Sequence, residues 1–167
     1  MAIIQESDFT GEYKIAKDCY NNLDSYIEKY ENQLLVQLLG AELYDLFIAD
    51  LTPITPQVPQ DVRFLAIFNS FNLDDGNCLL TSEGIKTMLI QYVYFFILRD
   101  NLNVKTATGT VRMQNENSSA PSYNNFNLVE AYNSSITNYK AVQWYICDNS
   151  DTYPEYNGQF QDFINGI

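Results

Sequence analysis

Apolar side chains at Leu23, Ile27, Tyr30, Leu34 and Leu38 recur in alternating steps of four and three, the spacing that lines one face of a helix. The pattern breaks at Gly40 and resumes with Leu43, Tyr44, Phe47, Ile48 and Leu51, which predicts one helix from about Asn22 to Leu51 bent near Gly40, or two helices in succession. Ser25 and Glu28 have capping-box spacing, and Asn21 or Asn22 serves equally well as the start. Pro53, Pro56 and Pro59 then forbid helix and favour an extended, partly polyproline connector, a rigid spacer. The apolar run from Arg63 to Leu73 leads into Asp74-Asp75-Gly76-Asn77, a tight-turn signal. This stretch reads as a short helix or as one arm of a hairpin returning through Cys78 to Leu80. Ser82 offers an N-cap with Glu83 in the first turn, and Ile85 to Leu98 is apolar on nearly every face before closing with Arg99 and Asn101. A helix apolar all round is one buried by others, so this is the expected central helix.

From Asn103 to Tyr123 the pattern dissolves into Thr, Asn, Ser and Gly, with Thr106, Thr108, Thr110 and Val111 placed as a weak strand around Gly109. So long an uncommitted polar arm inside a domain points to function or disorder. The three-four period returns near Asn127 and Glu130 with Val129, Tyr132, Ile136, Tyr139, Val142 and Ile146, ending by Asn149. The tail keeps Tyr153, Tyr156, Phe160 and Phe163 without a clear period, and such an aromatic, acidic tail is expected to dock on something. The expected fold is an all-α bundle of about four helices over residues 1–150. The arm 103–123, with a possible short hairpin, separates the last two long helices, and the extended tail is 151–167.

The 167 residues carry 21 acidic and 9 basic side chains and no histidine, a formal charge of −12. A chain of this size buries roughly 70% of the surface its unfolded form exposes, enough for a core without disulfide or metal. Lacking histidine, it has no Ser-His-Asp or Cys-His triad and no imidazole ligand, which removes the commonest catalytic routes near neutral pH. The acidic balance argues against gripping nucleic acid, which takes clustered Lys and Arg. Cys19, Cys78 and Cys147 are far apart and odd in number, so they read as reduced and mostly buried, with no metal or cofactor implied. The amino-terminal MAIIQESDF has no basic leader, and the apolar run Ile85–Leu98 is too short to span a bilayer, so a soluble chain off the membrane is expected.

Local constellations add little chemistry. Asn72, Asp74 and Glu83 fit three slots of a calcium-binding loop, but the required sixth-position glycine is Asn77 and Gly76 stands fifth, which favours a plain turn. Carboxylate neighbours such as Asp45 and Asp50, or Asp74 and Asp75, are expected by chance among 21 acids and read as solvated. More telling are the 18 Asn, 10 Gln and 13 Tyr. These reflect either an AT-rich coding bias or a contact surface, because tyrosine brings area with few rotatable bonds and amides bond without charge repulsion.

Four stretches together resemble the head-to-tail connector (adaptor, or neck ring) proteins of tailed bacteriophages, in particular crAss-like phages that infect Bacteroides. They are YIEKYENQLLVQLLGAELYDLF (Tyr26–Phe47), GIKTMLIQYVYFFILRDN (Gly84–Asn101), TATGTVRMQNENSSAP (Thr106–Pro121) and WYICDNSDTYPEY (Trp144–Tyr156), in that order. The resemblance implies a small helical bundle without enzymatic activity. It implies a homo-oligomeric ring, often twelvefold, beneath the portal protein at the capsid vertex, extending the DNA channel toward the tail and other neck proteins. The arm of such proteins reaches a neighbouring subunit or the portal, and Thr106 to Ala120 matches it here. The tail after Pro154 departs from the family pattern.

Residue chemistry agrees with that expectation. A ring needs one patch to meet a different patch on the next copy, and subunits of −12 pack side by side only through uncharged or complementary faces. A polar arm that orders on contact suits this, and an acidic channel wall lets DNA pass without specific binding. The expected contacts to neighbours are Lys105, Thr108, Thr110, Arg112 and Gln114 in the arm, with Tyr153, Tyr156 and Phe160 in the tail. Lys105 and Arg112 are two of three basic residues after position 100, which marks them as partners for a neighbour's carboxylates. The expected location is the virion neck, after assembly in the host cytoplasm. The rival readings are a monomeric binding module, such as a tail-assembly chaperone or host-interaction factor, and an acidic enzyme built on a carboxylate pair.

Overall fold

The computed structural model of the protein describes residues 2–15, 23–53, 57–74, 79–106, 109–112 and 125–163, and of 101–106, 109–112 and 125–127 it gives the backbone. The first apolar stripe forms two helices, α1 (Leu23–Leu39) and α2 (Ala41–Asp50), separated by Gly40 at φ +77°. Ser25 sits inside the first turn of α1, so it is not the cap that its spacing with Glu28 suggested. Ile27, Tyr30, Leu34, Leu35, Leu38 and Leu39 all face inward, as the spacing requires.

The proline connector is not the extended spacer expected from its composition. Thr52 N–H donates to the Val58 carbonyl at 3.0 Å, Val58 N–H donates back to Thr52 Oγ1 at 3.1 Å, and Leu51 bridges Pro59, so the chain closes into a loop. Asp50 then accepts from the backbone N–H groups of Gln60 and Asp61, at 2.8 Å each, and Asp61 caps α3 (Val62–Phe68) through Arg63 N–H.

Both readings of the next stretch hold in sequence: α3 is followed by a hairpin of β1 (Phe71–Asp74) and β2 (Leu79–Ser82), with Phe71 opposite Ser82 and Asp74 opposite Leu79. The turn residues 75–78, and with them Gly76 and Asn77 of the calcium-loop reading, lie outside the described residues. Ser82 ends β2 instead of capping a helix, and its hydroxyl accepts from Gly84 N–H at 3.1 Å.

Helix α4 (Ile85–Leu102) is the central helix. It packs most extensively on α5 (Asn125–Asp148) and also on α1 and α3. Ile85, Met88, Leu89, Val93 and Ile97 are each at most 1% exposed, the outcome that an all-round apolar run predicts. Beyond Leu102 the chain passes directly into a second hairpin, β3 (Asn103–Thr106) with β4 (Gly109–Arg112), antiparallel with Val104 opposite Val111. The molecule is thus mostly helical but not purely all-α, because each of two turn-rich stretches closes a two-stranded sheet.

Candidate functional site

The arm and the tail were the two regions expected to meet neighbours, and the structure treats them differently. In the arm, backbone pairing sets Lys105 opposite Thr110 and Arg112 opposite Asn103. Val104 pairs with Val111 between these two pairs. Thr108, Gln114 and the remainder of the arm to Tyr123 lie outside the described residues. The hairpin carries two basic residues and no acid, leaving 7 basic against 21 acidic residues on the rest of the chain. Of the other seven cations, five are engaged internally: Lys86 with Asp8, Arg99 with Asp100, Arg63 with Asp61 and Glu155, Lys140 with Asp162, and Lys29 over the ring of Tyr30, while Lys17 lies outside the described residues.

The tail docks on its own chain. Helix α1 ends with orphan carbonyls, as every helix does. Asn157 N–H donates to the Leu39 carbonyl at 3.4 Å and Gln159 N–H to the Gln37 carbonyl at 2.6 Å, so the tail supplies donors that the helix lacks. Gln143 on α5 donates to the Gln159 carbonyl at 2.8 Å and to the Tyr156 hydroxyl at 3.0 Å, and the Tyr139 hydroxyl donates to the same Gln159 carbonyl. Gln161 donates to Gln37 Oε1 at 3.0 Å.

This corrects the tail assignments. Tyr153 is 2% exposed, with its ring edge-on to Tyr145 and its hydroxyl donating to the Arg63 carbonyl, so its contacts are within the chain and no ring surface is left for a neighbour. Burial also pushes its phenol well above the usual range. Tyr156 is half-buried against Gln143, whereas Phe160 is 87% exposed and available. Four of the 13 tyrosines, Tyr30, Tyr92, Tyr139 and Tyr153, are core residues, and the other described ones are partly exposed; Tyr30 stacks on Phe96 at 4.1 Å, and burial pushes the Tyr92 hydroxyl up to about 12. Among the described residues the exposed large apolar side chains are instead Val36, Leu46, Val62, Leu79, Trp144, Phe160 and Phe163. Cys147 is exposed, against the expectation of burial, because it shares the outward stripe of α5 with Trp144 three residues before it. Cys19 and Cys78 lie outside the described residues.

Two polar features escaped the sequence reading. A concavity of about 450 Å³ opens between α4, α5, β2 and the Gly11–Tyr13 turn, with Glu12, Glu83 and Glu130 on its wall. Beneath it Asn138 accepts from Glu83 N–H at 2.8 Å and donates to Gln91 at 3.1 Å, and Gln91 donates to Glu83 and Tyr13. The interruption of the apolar α4 run by Gln91 was the available signal. The second is Glu31, buried at 1% exposure and pushed up to about 7 chiefly by burial, with backbone N–H groups on both oxygens. Its place between Ile27 and Leu35, each four residues away, puts it on the inward face of α1.

Of the carboxylate pairs weighed for chemistry, Asp50 is committed to backbone N–H groups, and Asp75 lies outside the described residues. No group of three or more Cys, Asp or Glu side chains that would hold a metal occurs among the described residues. No helix among them is long and apolar enough to cross a membrane. Comparison with known protein families, curated proteins and solved structures yields no match to this chain.

Proposed function

We propose that this chain is a structural protein of a phage neck, assembling as a ring that joins the portal to the tail and extends the DNA channel. The observation that carries the proposal is the β3–β4 hairpin, a net-positive extension on an otherwise strongly acidic chain, continuing without a loop from the central helix. An isolated two-stranded hairpin is marginal in water and gains from a partner surface. Opposite charge on the body of the next copy gives it both an attraction and an orientation. Large exposed apolar side chains, Trp144 and Phe160 foremost, supply uncharged anchors of the kind that interfaces concentrate. The helical bundle with a projecting arm also fits the architecture that the resemblance implies.

The test is assembly. Purified protein mixed with portal protein and followed by size-exclusion chromatography with light scattering is expected to give a ring-sized complex, with the chain located in the necks of mature particles by labelling. A chain that stays monomeric beside the portal and is absent from particles overturns the proposal in favour of a monomeric binding module.

A further inference from the structure

The amino-terminal segment runs over the start of the bundle and buries Ile3 and Ile4 to 2% and 1% exposure. Asp8 ties the segment to Lys86 on α4 at 2.8 Å, and Glu31 on α1 holds its first amides. Ile3 N–H lies 2.8 Å from Glu31 Oε1 and 3.0 Å from Oε2, and Ile4 N–H lies 3.1 Å from Oε2. Among the described residues no Lys or Arg forms an ion pair with this carboxyl.

The charged and titratable groups facing it are few. Glu28, on the same helix, disfavours a second negative charge, and the positive amino terminus favours one. From α2 the Tyr44 phenol, bonded to Asn32 at 3.0 Å, feels the Glu31 charge. Against these stands burial, the largest influence, because amide bonds offset only part of the cost of taking a full charge out of water. The geometry accommodates a proton. Oε2 by itself accepts from both amides, so protonating Oε1 leaves each amide an acceptor.

We propose that Glu31 is a proton-operated latch: protonated, it holds the segment Ala2–Phe9 on α1, and ionised, it loosens that segment. The sign follows from linkage. Burial under the docked segment pushes the carboxyl up to about 7, so docking is strongest at low pH and weakens as pH rises through 7. The segment also walls a groove of about 920 Å³ lined by Ile4, Phe9, Ile15 and Ile27, so loosening it uncovers apolar surface at the start of α1.

The test is hydrogen exchange at the Ile3 and Ile4 amides of the full chain, corrected for intrinsic rate, at pH 5.5 and 8.5. In the wild type, protection at these amides is expected to be weaker at pH 8.5 than at pH 5.5, while α4 amides hold theirs. Glu31→Gln keeps a carbonyl oxygen in the place of Oε2 and cannot ionise, so its protection is expected to be the same at both pH values. A flat wild-type profile, an E31Q profile that falls as the wild type does, or an equal loss across α4 overturns the latch. Should E31Q fail to fold, the carbon-13 titration of the Glu31 carboxyl in the wild type decides. A midpoint near 7 supports the latch, and one near 4.5 overturns it.

Discussion

Gly40 and Gly158 stand where two backbones meet more closely than a side chain allows. A Cβ on Gly40 would lie 2.6 Å from the Asn157 carbonyl oxygen, and one on Gly158 would lie 2.0 Å from that of Leu38. Gly40 also holds φ +77°, a conformation costly for other residues. Gly40→Ala is therefore expected to destabilise the fold by on the order of 2 kcal/mol in urea denaturation, combining backbone strain with displacement of the tail. The tyrosine beyond α5 acts differently. Tyr153→Phe keeps the buried ring and removes the hydroxyl that the Arg63 carbonyl accepts, so a loss of about 1 kcal/mol is expected by the same measurement.

Among the elements, the tail is the one whose role changes most between sequence and structure. It serves as the missing end of α1, closing that helix with main-chain donors and anchoring through Tyr153 and Tyr156. Ending the chain after Ser150 is expected to lower the thermal midpoint substantially and to open the α1–α2 corner to proteolysis near Gly40, read by limited digestion and mass spectrometry. Helices α1 and α5 were legible because each carries a long apolar period that only a helix places on one side, and α4 because its apolar run is long and covers nearly every face. The tail was not, because its bonds run from backbone to carbonyls more than a hundred residues earlier, and no local period encodes them. The proline connector misled for a related reason: composition describes its intrinsic preference, while Thr52, Asp50 and Val58 close it by specific hydrogen bonds. Of the candidate interface, the arm hairpin was visible as a weak strand pattern around Gly109, and Phe160 is exposed as that reading needs. Tyr153 was lost to the core because an aromatic residue in an aperiodic tail reads the same whether it faces out or in.

At the scale of the whole molecule, charge is the organising quantity. With −12 overall, copies of the chain repel at long range, and the proposed assembly relies on the two hairpin cations meeting acidic surface of a neighbour. The double substitution K105E/R112E is expected to leave the thermal midpoint nearly unchanged while weakening assembly with the portal at least tenfold, as read by light scattering. Phe160, at 87% exposure, contributes little to its own fold, so Phe160→Ser is expected to shift stability by less than about 0.5 kcal/mol and to reduce assembly in the same assay. The junction at Leu102 and Asn103 carries a mechanical corollary. No loop residue separates this hairpin from the central helix of the protein. A pull on β3 is therefore passed to the last turn of α4 with no loop residue between them.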